Sequence, residues 1–365
     1  MLEKGKISPR QAAWLIIAFL MGSAILLIPS AVAATARQDA WLSMILAVLA
    51  GLGIAAVYTS LSGRFPGQNF IQLSEIIMGR YVGKLAGLAM IWFALHLGSL
   101  VLRNFGDFLT ITILQQTPMV IINAVIILLS VQAVKMGLEG LSRVNDLLIP
   151  PMIFLLLMIT LLAIPETEFT RLLPVTENGL KPVVAGALTA TGFPFAETVL
   201  FTMIIPYVSP ARGAKRAVLL GILIGGLFLA IIILRTILVL GPAATARFWY
   251  SALEAVKMID IFNIIQRIES MVIIVWIGFG FIKITVCLYA FVLGLAQWLN
   301  LKDYKPIAMP AGLLMLALST YVYESYTEEA AFAAKIWFPY AILITFILPL
   351  AMLIVAWIRG LGERG

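Results

Sequence analysis

Five residues of this sequence carry a charge or a titratable ring deep inside long apolar runs: His96, Arg103, Asp107, Glu197 and Lys283. A charge at the centre of a membrane helix costs at least about 2.5–3.5 kcal/mol, so such residues are either paired or functional. Lys283 stands 14 residues beyond Glu269, roughly 20 Å into its helix at about 1.5 Å per residue. Glu197 directly follows Gly192-Phe193-Pro194-Phe195-Ala196. Acid and base thus reach similar depths. Glu197 fits three roles: anchoring helix packing, contacting a ligand, or carrying a proton. Lys283 fits a structural bond to Glu197 or to backbone carbonyls as well as it fits a fixed charge in a coupling site.

His96, Arg103 and Asp107, at spacings of seven and four, share one helical stripe. Arg103 and Asp107 can pair with each other, as a structural pair or as a candidate outer gate. His96 reads as a hydrogen-bonded core residue or a ligand contact, and alone it cannot hold zinc. The single cysteine, Cys287, excludes an intrachain disulfide and a multi-cysteine metal site. His-Glu-x-x-His, Gly-x-Ser-x-Gly and phosphate-loop patterns do not occur. The expectation is no enzyme, no metal and no cofactor.

Two apolar runs are interrupted, one by Met21-Gly22-Ser23-Ala24-Ile25 with Pro29-Ser30 beyond it, the other by Thr191-Gly192-Phe193-Pro194. Glycine loosens a helix, and proline removes an N–H and clashes with the preceding turn. At the first break the N–H groups of Ser23, Ala24 and Ile25 would form a half-helix N-terminus able to bind a carboxylate. At the second, carbonyls around Ala190, Thr191, Gly192 and Phe193 would accept from an ammonium. Facing breaks would hold the two ends of a free α-amino acid.

The elements that must position these residues are membrane helices. Of 365 residues 62% are hydrophobic and 12% charged, with mean hydropathy +1.05. Soluble proteins carry about 25% charged residues, so a soluble enzyme, a disordered chain and a secreted disulfide scaffold are excluded. Ten apolar segments, at about 11–35, 40–61, 83–114, 118–134, 145–164, 183–208, 214–240, 269–298, 308–322 and 336–358, are each long enough to cross a bilayer. Lys4, Lys6 and Arg10 precede the first with no cleavage pattern, which predicts a retained helix. With both termini inside, fifteen Lys and Arg fall inside and seven outside, the positive-inside bias of a membrane protein. The net charge of +7 is therefore a topology signal, and no nucleic acid is expected as a partner. Arg235, near the outer end of its run, is expected to snorkel, and Arg267 to pair with Glu269. Half-polar segment 241–268 reads as an amphipathic external or re-entrant helix, with Ala252, Leu253, Val256, Ile259, Ile261, Ile264 and Ile265 on its apolar face. The breaks lie 170 residues apart and open two five-span halves, 11–164 and 183–358, of one transmembrane domain. Five is odd, so the halves enter from opposite sides as an inverted repeat with discontinuous helices 1 and 6.

Gly22-Ser23-Ala24-Ile25-Leu26-Leu27-Ile28-Pro29 resembles the first-helix signature of amino acid–polyamine–organocation permeases, with Ala24 where permeases commonly have Gly. More narrowly, the chain resembles the spore germination permease family, the B subunits of germinant receptors. Ile7-Ser8-Pro9-Arg10-Gln11, Asp39-Ala40-Trp41, Gly192 to Glu197 with Pro206, and Arg267-Ile268-Glu269 leading to Trp276 and Lys283 carry the resemblance in order and spacing. It implies a ten-helix, LeuT-like all-α fold in the spore inner membrane of an endospore former. It also implies a small germinant, often an amino acid, beside an A subunit and a C lipoprotein. The related permeases hold sodium between spans one and eight. The Lys283 ammonium is expected to approach that region and replace the ion. The first functional reading is a germinant-receptor B subunit. The alternative is a proton-coupled, sodium-independent amino acid permease, and a third reading is a membrane anchor with a vestigial pocket.

Overall fold

The computed structural model describes residues 2–259 and 269–362. Arg267 and the apolar positions Ile261, Ile264 and Ile265 lie outside the described residues. The described chain is helical apart from its connections and one parallel bridge, in which the Ile7 N–H donates to Tyr207 O and Ser209 N–H donates to Ile7 O.

Helix α1 (Pro9–Met21) starts where the sequence codes it to start. Ser8 and Gln11 form a reciprocal capping box, with Pro9 in the first turn where its missing N–H costs nothing. After Gly22 the chain continues as α2 (Ala24–Ala36), α3 (Ala40–Arg64), α4 (Phe70–Met78), α5 (Arg80–Thr112), α6 (Met119–Leu162) and α7 (Leu180–Ala190). A π-helical turn (Thr191–Phe195) and a 3-10 helix (Ala196–Met203) follow α7. The second part holds α8 (Ala214–Leu240), α9 (Pro242–Arg247), α10 (Ser251–Lys257), α11 (Glu269–Trp298), α12 (Ala308–Tyr321), α13 (Tyr326–Phe332), α14 (Phe338–Ile342) and α15 (Leu348–Ile358).

Seven helical runs among the described residues are long and apolar enough to cross a membrane. Two of them, Ala24–Arg64 and Met119–Leu162, run to 41 and 44 residues, about twice what a bilayer needs. Each contains a residue with left-handed backbone, Arg37 (φ 52°) and Gly137 (φ 83°), where the chain turns.

The core lies where α1, α3, α5, α8 and α11 meet. Helix α8 approaches α1 through glycine: a β-carbon on Gly221 would stand 2.9 Å from Ala13 O, and one on Gly225 2.9 Å from Leu20 Cδ1. Small residues at such crossings let backbones close up, which is how helices gain contact without a hydrophobic drive in lipid. The short helices α9 and α10 lie against α2 and α8, with Ala252, Leu253 and Val256 turned inward. Arg235 corrects the snorkelling expectation. It is only 7% exposed, on the face of α8 that meets Ile25, Leu156, Trp276 and Val272. Its helix is rotated so that the side chain enters the bundle instead of reaching for water.

Candidate functional site

Both interrupted runs are broken in the fold. Gly22 leaves helical geometry (φ −18°, ψ −117°) and closes α1, and Ser23 precedes α2 without capping it. In the second run Phe193 is extended (φ −137°, ψ 113°) before Pro194. The glycines matter by contact: a β-carbon on Gly22 would stand 2.6 Å from Lys283 Cδ, and one on Gly192 3.1 Å from Phe338 Cα. Each break is thus packed against a distant helix through the one residue type that leaves room.

Lys283 on α11 crosses the first break. Its Nζ donates to Glu197 Oε2 at 2.6 Å, with both side chains fully buried, and lies 4.9 Å from the ring centres of Phe19 and Phe193. One carboxylate oxygen and two aromatic faces hold the ammonium. One ion pair therefore ties both breaks together.

A cavity of about 80 Å³ opens beside this pair. Ser23, Phe193 and Glu197 line it, with Leu97, Val101 and Trp337 among the rest. Ser23 Oγ and Glu197 Oε1 are buried and have no hydrogen-bond partner. Buried polar groups are almost always satisfied, because leaving one unpaired costs about 1–3 kcal/mol. Both atoms belong to residues that line the cavity.

Of the residues expected to bind, Gly22, Ala24, Ile25, Ala190, Thr191 and Gly192 shape the breaks without lining the cavity. The Gly192 carbonyl is occupied, accepting from Trp337 Nε1 at 3.1 Å, so it is not an open acceptor for an ammonium. His96 also stands behind the wall. Its Nδ1 lies 3.2 Å from Tyr340 Oη, and its ring packs on Trp337 and Phe332. Arg103 Nε donates to Asp107 Oδ2 at 2.7 Å, while Nη1 donates to Tyr323 O at 2.9 Å, clasping α5 to the turn before α13.

Nothing in the sequence marks Trp337 and Glu329, which reach the site from the π-helical turn Ala333–Trp337 and from α13. Nor does anything mark Glu3. That buried carboxylate accepts from Tyr304 Oη at 2.6 Å, from Gly5 N–H at 2.7 Å and from Leu138 N–H at 3.1 Å. Burial pushes the Glu3 carboxyl up, but the bonds from Tyr304, Gly5, Leu138 and Lys4 outweigh burial and hold it below its ordinary value.

The sequence pattern of the family described as Spore germination protein matches residues 6–327. The chain belongs to this family. Spore germination protein KB of Bacillus subtilis (strain 168) is 29% identical over 331 residues, 90% of this chain and 88% of that one. Spore germination protein YndE of the same organism is 27% identical, covering 85% of each chain. Among solved structures, MhsT in complex with L-phenylalanine aligns over 97% of this chain and 99% of its own, with TM-score 0.68 and 15% identity. A nucleobase-cation-symport-1 family transporter, closed with bromovinylhydantoin bound, aligns over 100% and 95% with TM-score 0.68 and 13% identity. This member of the spore germination family is an integral membrane protein with the fold of those transporters, as its apolar helices require.

Proposed function

We propose that the chain is a germinant-receptor B subunit that binds a small germinant, an amino acid, in the cavity between the two breaks. The observation that carries the reading is the pair of unpartnered buried acceptors, Ser23 Oγ and Glu197 Oε1, on that cavity's wall. The ligand's ammonium donates to Glu197 Oε1, and its carboxylate lies toward the N-terminus of α2, at the Ala24 and Ile25 N–H groups of its first turn. Lys283 neutralises Glu197 and occupies the space beside Gly22, which makes a sodium ion unnecessary.

Ten crossings in two inverted halves, 11–164 and 183–358, account for the left-handed turns at Arg37 and Gly137 and for the apolar helices α1 and α12. Helices 1 and 6 are then the discontinuous pair, and the Lys and Arg bias supports both termini in the cytoplasm, the spore core. The setting is the spore inner membrane. Ligand binding shifts the bundle between two states by binding one better, and an A subunit and a C lipoprotein read the shift. Arg103 and Asp107 hold the outer closure.

Purified full-length chain in lipid nanodiscs is titrated with each of the twenty amino acids, and proteoliposomes are tested for uptake of those that bind. Saturable binding without flux is the expected result. Concentrative uptake driven by a pH gradient would establish the permease reading instead, and absence of binding would overturn both.

A further inference from the structure

A second cavity of about 330 Å³ adjoins the first, lined by Ala34, Thr35, Arg247, Phe248 and Trp249 among others. The two share Leu27, Ala31, Thr189, Glu329 and Ala333. These five residues form the neck between a roomy vestibule and a smaller chamber. Glu329 is the one ionisable side chain among them.

Glu329 is built into that position. It lies on α13 and is 6% exposed. Asn104, its amide oriented to satisfy its neighbours, donates to Glu329 Oε1 at 2.6 Å and to Leu100 O at 3.0 Å. The Arg103 clasp to Tyr323 fixes the turn that carries α13. The charged and titratable groups around it are Arg103 and Asp107 on α5, Tyr323, Glu328 on its own helix, and Arg247 across the vestibule, with Glu197 and Lys283 deeper in the chamber.

We propose that Glu329 is the charge filter of the ligand path: as a carboxylate it admits small solutes that bear an ammonium group and turns back anions. The proposal rests on the chamber being the germinant site. A fixed charge in a narrow, low-dielectric neck focuses its field on whatever passes. Burial and the nearby Asp107 push the Glu329 carboxyl up, against the pull of Arg103, to about 7. The filter is therefore set at pH 8 and relaxed at pH 6.

The test needs no germinant. In a Cys287→Ala background, Ser23→Cys places a thiol in the chamber and Ala34→Cys places one in the vestibule alone. Each is reacted in nanodiscs with 2-aminoethyl methanethiosulfonate, a cation, and 2-sulfonatoethyl methanethiosulfonate, an anion. The thiolate attacks the sulfenyl sulfur, a disulfide forms and methanesulfinate leaves, so the ratio of the two rates reports access by charge. At pH 8 the cation-to-anion ratio at position 23 is expected to exceed that at position 34 roughly tenfold or more. It should fall toward the vestibule value at pH 6 or in Glu329→Gln. The pH arm needs no change at Glu329. Equal ratios at the two positions, a ratio at position 23 insensitive to pH, or a reactive position 34 with position 23 inert to both reagents would overturn the filter. Amino acid binding that persists alongside such a result would leave the germinant-site reading standing.

Discussion

Lys283 Nζ and Glu197 Oε2 lie 2.6 Å apart in full burial, joining α11 to the 3-10 helix that follows the second break. Neither charge has another ionic partner among the described residues. Removing one leaves the other uncompensated, which costs roughly 3–5 kcal/mol, whereas replacing both by neutral groups of similar size is far milder. Lys283→Met should therefore lower the melting temperature in detergent steeply, and adding Glu197→Gln should restore most of the loss. A double variant as unstable as the single one would show that the two residues act separately.

Ser23→Ala removes a buried hydroxyl that has no partner. Stability should hold or rise slightly, while amino acid affinity falls about three- to tenfold, the value of one neutral hydrogen bond. Thermal unfolding and equilibrium binding on the same sample check both halves. A loss of stability with affinity unchanged would assign Ser23 to packing.

Gly22 and Gly53 make a matched pair. A β-carbon at Gly22 meets the Lys283 stem at 2.6 and 2.9 Å, and one at Gly53 meets nothing within 4 Å. Gly22→Ala should destabilise by about 1–3 kcal/mol as Lys283 is displaced. Gly53→Ala should stabilise by about 0.5–1 kcal/mol through lost chain entropy. Melting temperatures moving in opposite directions are the expected readout.

Glu3 links the N-terminal segment to pH. Its carboxyl is held below the ordinary value of 4.5, so its contribution is complete above that value and disappears as pH falls through the lowered one. Protection factors at the Gly5 and Leu138 amides, both bonded to Glu3, taken as exchange rates relative to the intrinsic rate at each pH, should be high at pH 7 and fall in acid. Glu3→Gln should abolish most of that pH dependence.

The breaks are legible in the sequence because Gly22, Gly192 and Pro194 act locally, through missing β-carbons and a missing N–H. Glu197 and Lys283 stand out because charge in an apolar run has few explanations. The cavity wall is not legible. A helix that is hydrophobic all round has no periodic signal of its rotation, so the inward turn of Arg235 and the position of His96 behind Trp337 emerge only from packing. Glu329 reads as one more outer acid until α13 is seen folded over the neck. The Gly192 carbonyl shows the same limit: local chemistry frees it, and Trp337, 145 residues away, claims it.

Equilibrium binding of amino acids to the Glu197→Gln/Lys283→Met chain, set beside the unsubstituted chain in the same nanodiscs, tests the site most directly. The pair is neutralised without leaving a buried charge, so the bundle stays folded while the carboxylate facing the ammonium becomes a neutral amide, a weaker acceptor. Saturable binding of at least one amino acid to the unsubstituted chain is expected, with at least a tenfold weaker affinity in the double variant, roughly 1.4 kcal/mol. Equal affinity in the two chains would contradict it.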